Sequence, residues 1–175
     1  MRAPPPLIWG CSTAGDKVMA IDDWFAASYG EARAKFLKSA KAAGATMQSY
    51  DHPLKGPDGG DLATDLAYLG PGDAPRVMVI SSATHGVEGF CGSGCQVGFL
   101  DSGLHDELPD GMAVMYVHAH NPHGFAHQRR VTEDNVDLNF TSMNSKERRL
   151  LEANVTYTKS GLTLVCIDSL VIVWS

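Results

Sequence analysis

His85 and Glu88 stand three residues apart in Thr84-His85-Gly86-Val87-Glu88-Gly89, and both side chains can ligate a divalent metal. A hydrolytic zinc needs two or three nitrogen or oxygen ligands and one open position for water. On a turn that opens a helix, a His and a Glu at this spacing can aim at one point. Gly86 and Gly89 would let the backbone come close without Cβ clashes. The same pair also suits a solvated loop between a strand and a helix, and the spacing by itself leaves both readings open.

A second group of polar residues follows in Asn121-Pro122-His123-Gly124, then Arg129-Arg130, then Asn135-Val136-Asp137-Leu138-Asn139. Asn-Pro-x-Gly forms a turn by its own chemistry. An Arg near a zinc can stabilise the oxyanion that develops when water attacks a carbonyl. Asn139 could orient a substrate carboxylate. Taken alone, the segment reads rather as a polar surface loop with an ion pair from an Arg to Glu133 or Asp134.

The elements that must position these residues show in the hydrophobic pattern. Ser28 with Glu31 is a capping box, and Ala32, Phe36, Ala40 and Ala43 then share a helical face that Gly44 ends. Residues 46–50 form a short strand candidate, 51–61 a Pro/Gly loop, and 62–69 a weaker strand. The apolar run from Arg76 to Ser82 predicts a strand buried on both faces, a helix follows over about 88–102, and 112–119 predicts a second such strand. Strand, helix, strand is a βαβ unit, so the two strands should be parallel neighbours. Ligands of such sheets lie beyond the carboxyl ends of the strands, where both polar segments begin.

The chain has 175 residues and 44% apolar composition, enough for one domain with a real core. Fourteen Lys and Arg against twenty Asp and Glu give a net charge of -6, which argues against a general nucleic-acid binder. Residues 1–9 lack the apolar core of a signal peptide, and Leu162 to Trp174 is short, holds Asp168, and reads as a core strand rather than a membrane span. Cys11, Cys91, Cys95 and Cys166 form no C-x-x-C pair and read as reduced, mostly buried thiols, with the cytoplasm as the expected compartment.

Together the two polar segments resemble the zinc carboxypeptidase superfamily, which carries H-x-x-E after one strand and N-P-x-G, Arg and D-L-N-R after the next. The nearer likeness is to a carboxypeptidase-like branch known as a domain of unknown function, with T-H-G-V-E-G-F-x-G-S and N-P-x-G-F through E-D-N-V-D-L-N-R-N-F. It covers about residues 24–139, after a poorly ordered lead over 1–21. The resemblance implies a three-layer α/β/α sandwich and hydrolysis of a peptide, amide or related acyl bond, with a peptide or a small molecule such as an N-acyl amino acid as substrate and zinc as cofactor. It makes His85 and Glu88 metal ligands, Arg130 the group that polarises the carbonyl, and Asn139 a holder of the substrate carboxylate.

The chain departs from the family after Asn139. Phe140 stands where the family has Arg, no His follows His127, and residues 140–175 show neither the usual third ligand nor the late Glu that serves as base. The rival to a hydrolase is therefore a non-catalytic α/β domain that binds a metal or a partner through the same cleft. His118 and His120 would share one strand face, with His118 structural and His120 the candidate for a substitute third ligand. His52 and His105 read as surface residues, and Cys91 and Cys95 as small packing residues.

Overall fold

Helix α1 (Tyr29–Ala42) starts at Ser28, whose Oγ accepts from the Glu31 amide, and ends at Gly44 with φ +78. Its buried stripe is Ala32, Phe36 and Ala40, as the periodicity predicts. The computed structural model describes residues 20–138, 157–159, 162–167 and 170–174. Most of the lead, together with Asn139, Phe140 and the side chains of the later strands, lies outside the described residues.

The chain forms an α/β fold on one mixed sheet in the order β1-β2-β4-β3-β7-β6-β5, where β5 is the short strand Tyr157–Lys159. Strands β1 (Thr46–Lys55) and β2 (Asp61–Leu69) make an antiparallel hairpin. The 51–61 loop expected from sequence shrinks to residues 56–60, because β1 runs on through Pro53 across an irregularity between Asp51 and Lys55. Proline is tolerated there because β1 is an edge strand, where the missing amide breaks no interior ladder. Strands β3 (Arg76–Ser82) and β4 (Met112–His118) are parallel neighbours joined through α2 (Gly89–Asp101), as the βαβ pattern requires. The apolar run expected as one strand is a hairpin of β6 (Leu162–Ile167) and β7 (Leu170–Trp174). Strand β7 pairs antiparallel with the outer side of β3, so that edge is covered by backbone hydrogen bonds.

Phe36 and Ala40 of α1 and Val97 and Leu100 of α2 pack on Ala67, Met78, Ile80, Val114 and Tyr116 of the sheet. These strand positions alternate, so both long helices cover the same face. The described residues thus make two layers. Gln96 of α2 ties this layer to the strand ends: it donates to the carbonyls of Ile80 (2.9 Å) and Val117 (3.1 Å) and accepts from Ser82 Oγ (3.0 Å). Beside it a buried Asp65 takes a two-pronged bond from Arg33 at 2.7 and 3.1 Å.

His118 is wholly buried, stacked on Phe36 at 4.6 Å, with Nε2 2.9 Å from Ser93 Oγ. Burial pushes its imidazole down to about 4, with the Asp65 carboxylate opposing. The folded chain therefore binds one proton fewer than the unfolded chain between the ordinary value of 6.5 and about 4. The stability this confers is present above that window and is lost as pH falls through it, at about 1.4 kcal/mol per pH unit. Urea denaturation over a pH series should show this slope, and it should flatten in His118→Gln.

Candidate functional site

The parallel strands β3 and β4 end in the same way. Each is followed by a buried alanine in the left-handed region, Ala83 at φ +56 and Ala119 at φ +62. Such a conformation costs a non-glycine residue about 1–2 kcal/mol and clusters where structure is held for function. The bonds from the His120 amide to Ser82 O and from the Asn121 amide to Ala83 O (both 2.9 Å) lock the two turns side by side. The first turn leads through His85 and Glu88 into α2. The second leads into α3 (Pro122–Ala126), capped by Asn121, whose side chain accepts from the Gly124 amide at 2.8 Å.

These turns meet at Gly86. A Cβ there would lie 2.0 Å from Gly124 C and 2.3 Å from Arg129 O, so only glycine permits the contact. The Gly86 amide donates to Arg130 O at 3.3 Å. The loop 128–138 is thereby laid across the His85–Glu88 turn.

The contact assembles four side chains. His85 is buried (2% exposed), with Nδ1 3.4 Å from Glu88 Oε1 and Nε2 3.2 Å from Asp137 Oδ1. Arg130 lies over them, with Nε 3.0 Å from Asp137 Oδ2 and Nη1 3.5 Å from Glu88 Oε1. A carboxylate only accepts, so Asp137 places a proton on His85 Nε2. Where that is the ring's one proton, the Nδ1 lone pair faces the Glu88 carboxylate oxygen. A His bonded through one nitrogen to a carboxylate, with the other turned to a ligand oxygen, is the arrangement of a metal-binding histidine. Two ligands of one tetrahedral zinc stand about 3.4 Å apart, the separation of His85 Nδ1 and Glu88 Oε1 here. Glu88 Oε2 is buried without a hydrogen-bond partner. The pair fits a metal ion on these grounds. Among the described residues no group of three or more His, Cys, Asp or Glu side chains is arranged to hold one.

Of the residues singled out from sequence, His85, Glu88 and Arg130 come together, and Asn139 lies outside the described residues. Arg130 pairs with Glu88 and Asp137 rather than with Glu133 or Asp134, and Arg129 bonds to Asn135 Oδ1. His118 and His120 do not share a face. The left-handed Ala119 breaks the alternation, so His118 meets Ser93 of α2 while exposed His120 meets Ser81 Oγ at 3.2 Å. His52 is not a surface residue but pairs with Glu133 at 3.2 Å, and His105 is partly buried beside Asp106. Cys91 and Cys95 are exposed on α2, since the packing against this helix runs through Gly94 and Gly98, on which Phe25 and Trp24 lie. Sequence reasoning assigned no role to Asp137. The signal that could have found it is chemical: a ligating His calls for a carboxylate or carbonyl on its other nitrogen.

Gly86→Ala should destabilise the chain by about 3 kcal/mol, because its Cβ would overlap backbone rather than a movable side chain. Val87→Ala next to it, at an exposed position, should stay within about 0.5 kcal/mol of the parent. Equal urea midpoints for the two variants would contradict the close contact.

Comparison with known proteins places this geometry in a family. No curated protein sequence matches the chain. The structure of Porphyromonas gingivalis glutaminyl cyclase is similar over 58% of this chain and 48% of its own, at 18% identity and a TM-score of 0.35. The chain spans about half the length of that enzyme. Among the described residues no helix is long and apolar enough to cross a membrane. The protein family of unknown function DUF2817 matches residues 25–161, a span that takes in the whole four-residue cluster, and the chain belongs to that family.

Proposed function

We propose that the cluster is the metal-binding part of a zinc-dependent hydrolase of a peptide, amide or related acyl bond, on a fold of the zinc carboxypeptidase type. The observation that carries this reading is the placement of His85 between Glu88 at 3.4 Å and Asp137 at 3.2 Å. His85 Nδ1 and Glu88 would hold the ion, which supplies Lewis acidity when bound. Asp137 fixes the His85 ring and its tautomer. Arg130, about half exposed, presents a guanidinium at the mouth of the cluster, where it can take up charge developing on a substrate carbonyl oxygen. Asn139, two residues beyond Asp137, keeps its expected role as a holder of a substrate carboxylate. In this reading a third ligand and a general base are not among the described residues.

One observation favours a second reading, a metal-free binding or structural cluster. Arg130 already bridges Glu88 and Asp137, which lowers the need for another cation. Zinc titration separates the two. The hydrolase reading expects one zinc per chain, binding abolished in His85→Ala, and affinity lowered about tenfold to a hundredfold in Asp137→Asn. Equal zinc content in the parent and His85→Ala would leave the metal-free reading standing.

Turnover gives an independent check. Assayed with added zinc on C-terminal peptides and N-acyl amino acids, Arg130→Ala should lower kcat by about a hundredfold. A loss confined to KM would make Arg130 a plain substrate-binding residue.

A further inference from the structure

The loop that carries both Arg130 and Asp137 is fastened at its far end by residues outside the cluster. Its start is held by the Arg129 amide on Gly124 O at 2.7 Å. Its tip, 132–136, is closed on itself: Thr132 N bonds to Val136 O (3.0 Å), Asn135 N to Thr132 O (3.1 Å) and Val136 N to Thr132 Oγ1 (3.2 Å), with Asn135 left-handed at φ +62. A turn closed in this way moves as a unit, and Asp137 moves with it. The described tie from that turn to the sheet is Glu133 Oε1 on His52 Nε2 of β1, at 3.2 Å.

The tautomer of His52 follows from its other bond. The Leu54 amide donates to His52 Nδ1 at 3.1 Å, so that nitrogen carries no proton and Nε2 does. His52 thus donates from Nε2 toward Glu133.

Two more histidines crowd the pair. His123, only 8% exposed, lies 5.9 Å from the His52 ring and stacks on His127 at 4.2 Å, and its buried Nδ1 has no hydrogen-bond partner. His127 Nε2 is 3.3 Å from Lys55 O of β1. The charged groups acting on His123 are His127 of the same helix, His52 of β1, and Arg129 and Glu133 of the loop. Glu133 is the anion among them. Burial first, and then the neighbouring His127, holds the His123 imidazole below its ordinary range. A bond from its own backbone amide holds the Glu133 carboxyl below its ordinary range.

We propose that His52 and Glu133 are positioning residues for the site: they clasp the 132–136 turn to β1 and keep Asp137 on His85. The clasp stands on its own contacts. Only its effect on zinc rests on the function proposed above.

The test is amide hydrogen exchange of residues 129–137 in the full chain, without metal, at neutral pH and corrected for intrinsic exchange. His52→Asn keeps an acceptor for the Leu54 amide but cannot reach Glu133, and Glu133→Ala removes the acceptor. Both should speed exchange in 129–137 about tenfold or more, the worth of a bond to a charged group, while β2 and β4 amides stay protected. His52→Gln keeps a donor for Glu133 and should restore protection. Unchanged loop exchange in both disrupting variants would overturn the proposal. Zinc titration of the same proteins should show affinity lowered about tenfold in His52→Asn and Glu133→Ala. If no chain binds zinc, the hydrolase reading fails while the exchange data still decide the clasp.

Discussion

The site depends on one contact between two backbones. Gly86 lies against Gly124 and Arg129 where a methyl group would sit 2.0 Å from a carbonyl carbon. That approach lets the amide of Gly86 reach Arg130 O, and it brings residues 42 to 52 positions apart in sequence into bonding range. A larger residue would separate the turn after β3 from the loop after β4, and the two halves of the cluster would part together. The fold supplies the rest of the rigidity: the parallel pairing of β3 with β4 sets the two turns in register, and Gln96 fastens the strand ends from the helical layer.

Much of this was legible in sequence because it follows from local rules. The Ser28 cap, the Ala32–Phe36–Ala40 stripe, the apolar runs of β3 and β4 and the Asn-Pro-x-Gly cap are each written in a few adjacent residues. The parallel pairing of a βαβ unit then puts both polar segments at one end of the sheet. What stayed hidden depends on distant partners. A charged Asp65 in the middle of β2 reads as a solvent-facing position, yet it is buried because Arg33 of α1 reaches it. The exposure of Cys91 and Cys95 depends on Trp24 and Phe25 packing on glycines of the same helix instead. His52 looked like a surface residue because its partners come from β1 itself and from a loop 81 positions later.

The candidate site divides in the same way. His85, Glu88 and Arg130 are legible as residue types suited to hydrolytic chemistry, and they do converge. Asp137 is not, since the link between an imidazole and a carboxylate 52 positions away has no sequence period. The left-handed Ala83 and Ala119 are hidden for a different reason. Alanine gives no hint of positive φ, and only the crossed bonds to Ser82 and Ala83 explain why the strain is tolerated.

Charge balance gives the cluster its chemical direction. Among the described residues, Glu88 and Asp137 bring two carboxylates to one buried imidazole, and Arg130 brings one guanidinium. In the proposed site His85 and Glu88 would hold a divalent ion, Asp137 would hold the ring, and the Arg130 guanidinium could turn toward an incoming anion. A half-exposed arginine beside two partly buried carboxylates adds little stability of its own, because exposed ion pairs contribute only about 0–1 kcal/mol. Under that reading its place at the mouth of the cluster lets a substrate oxygen meet positive charge as its own charge develops.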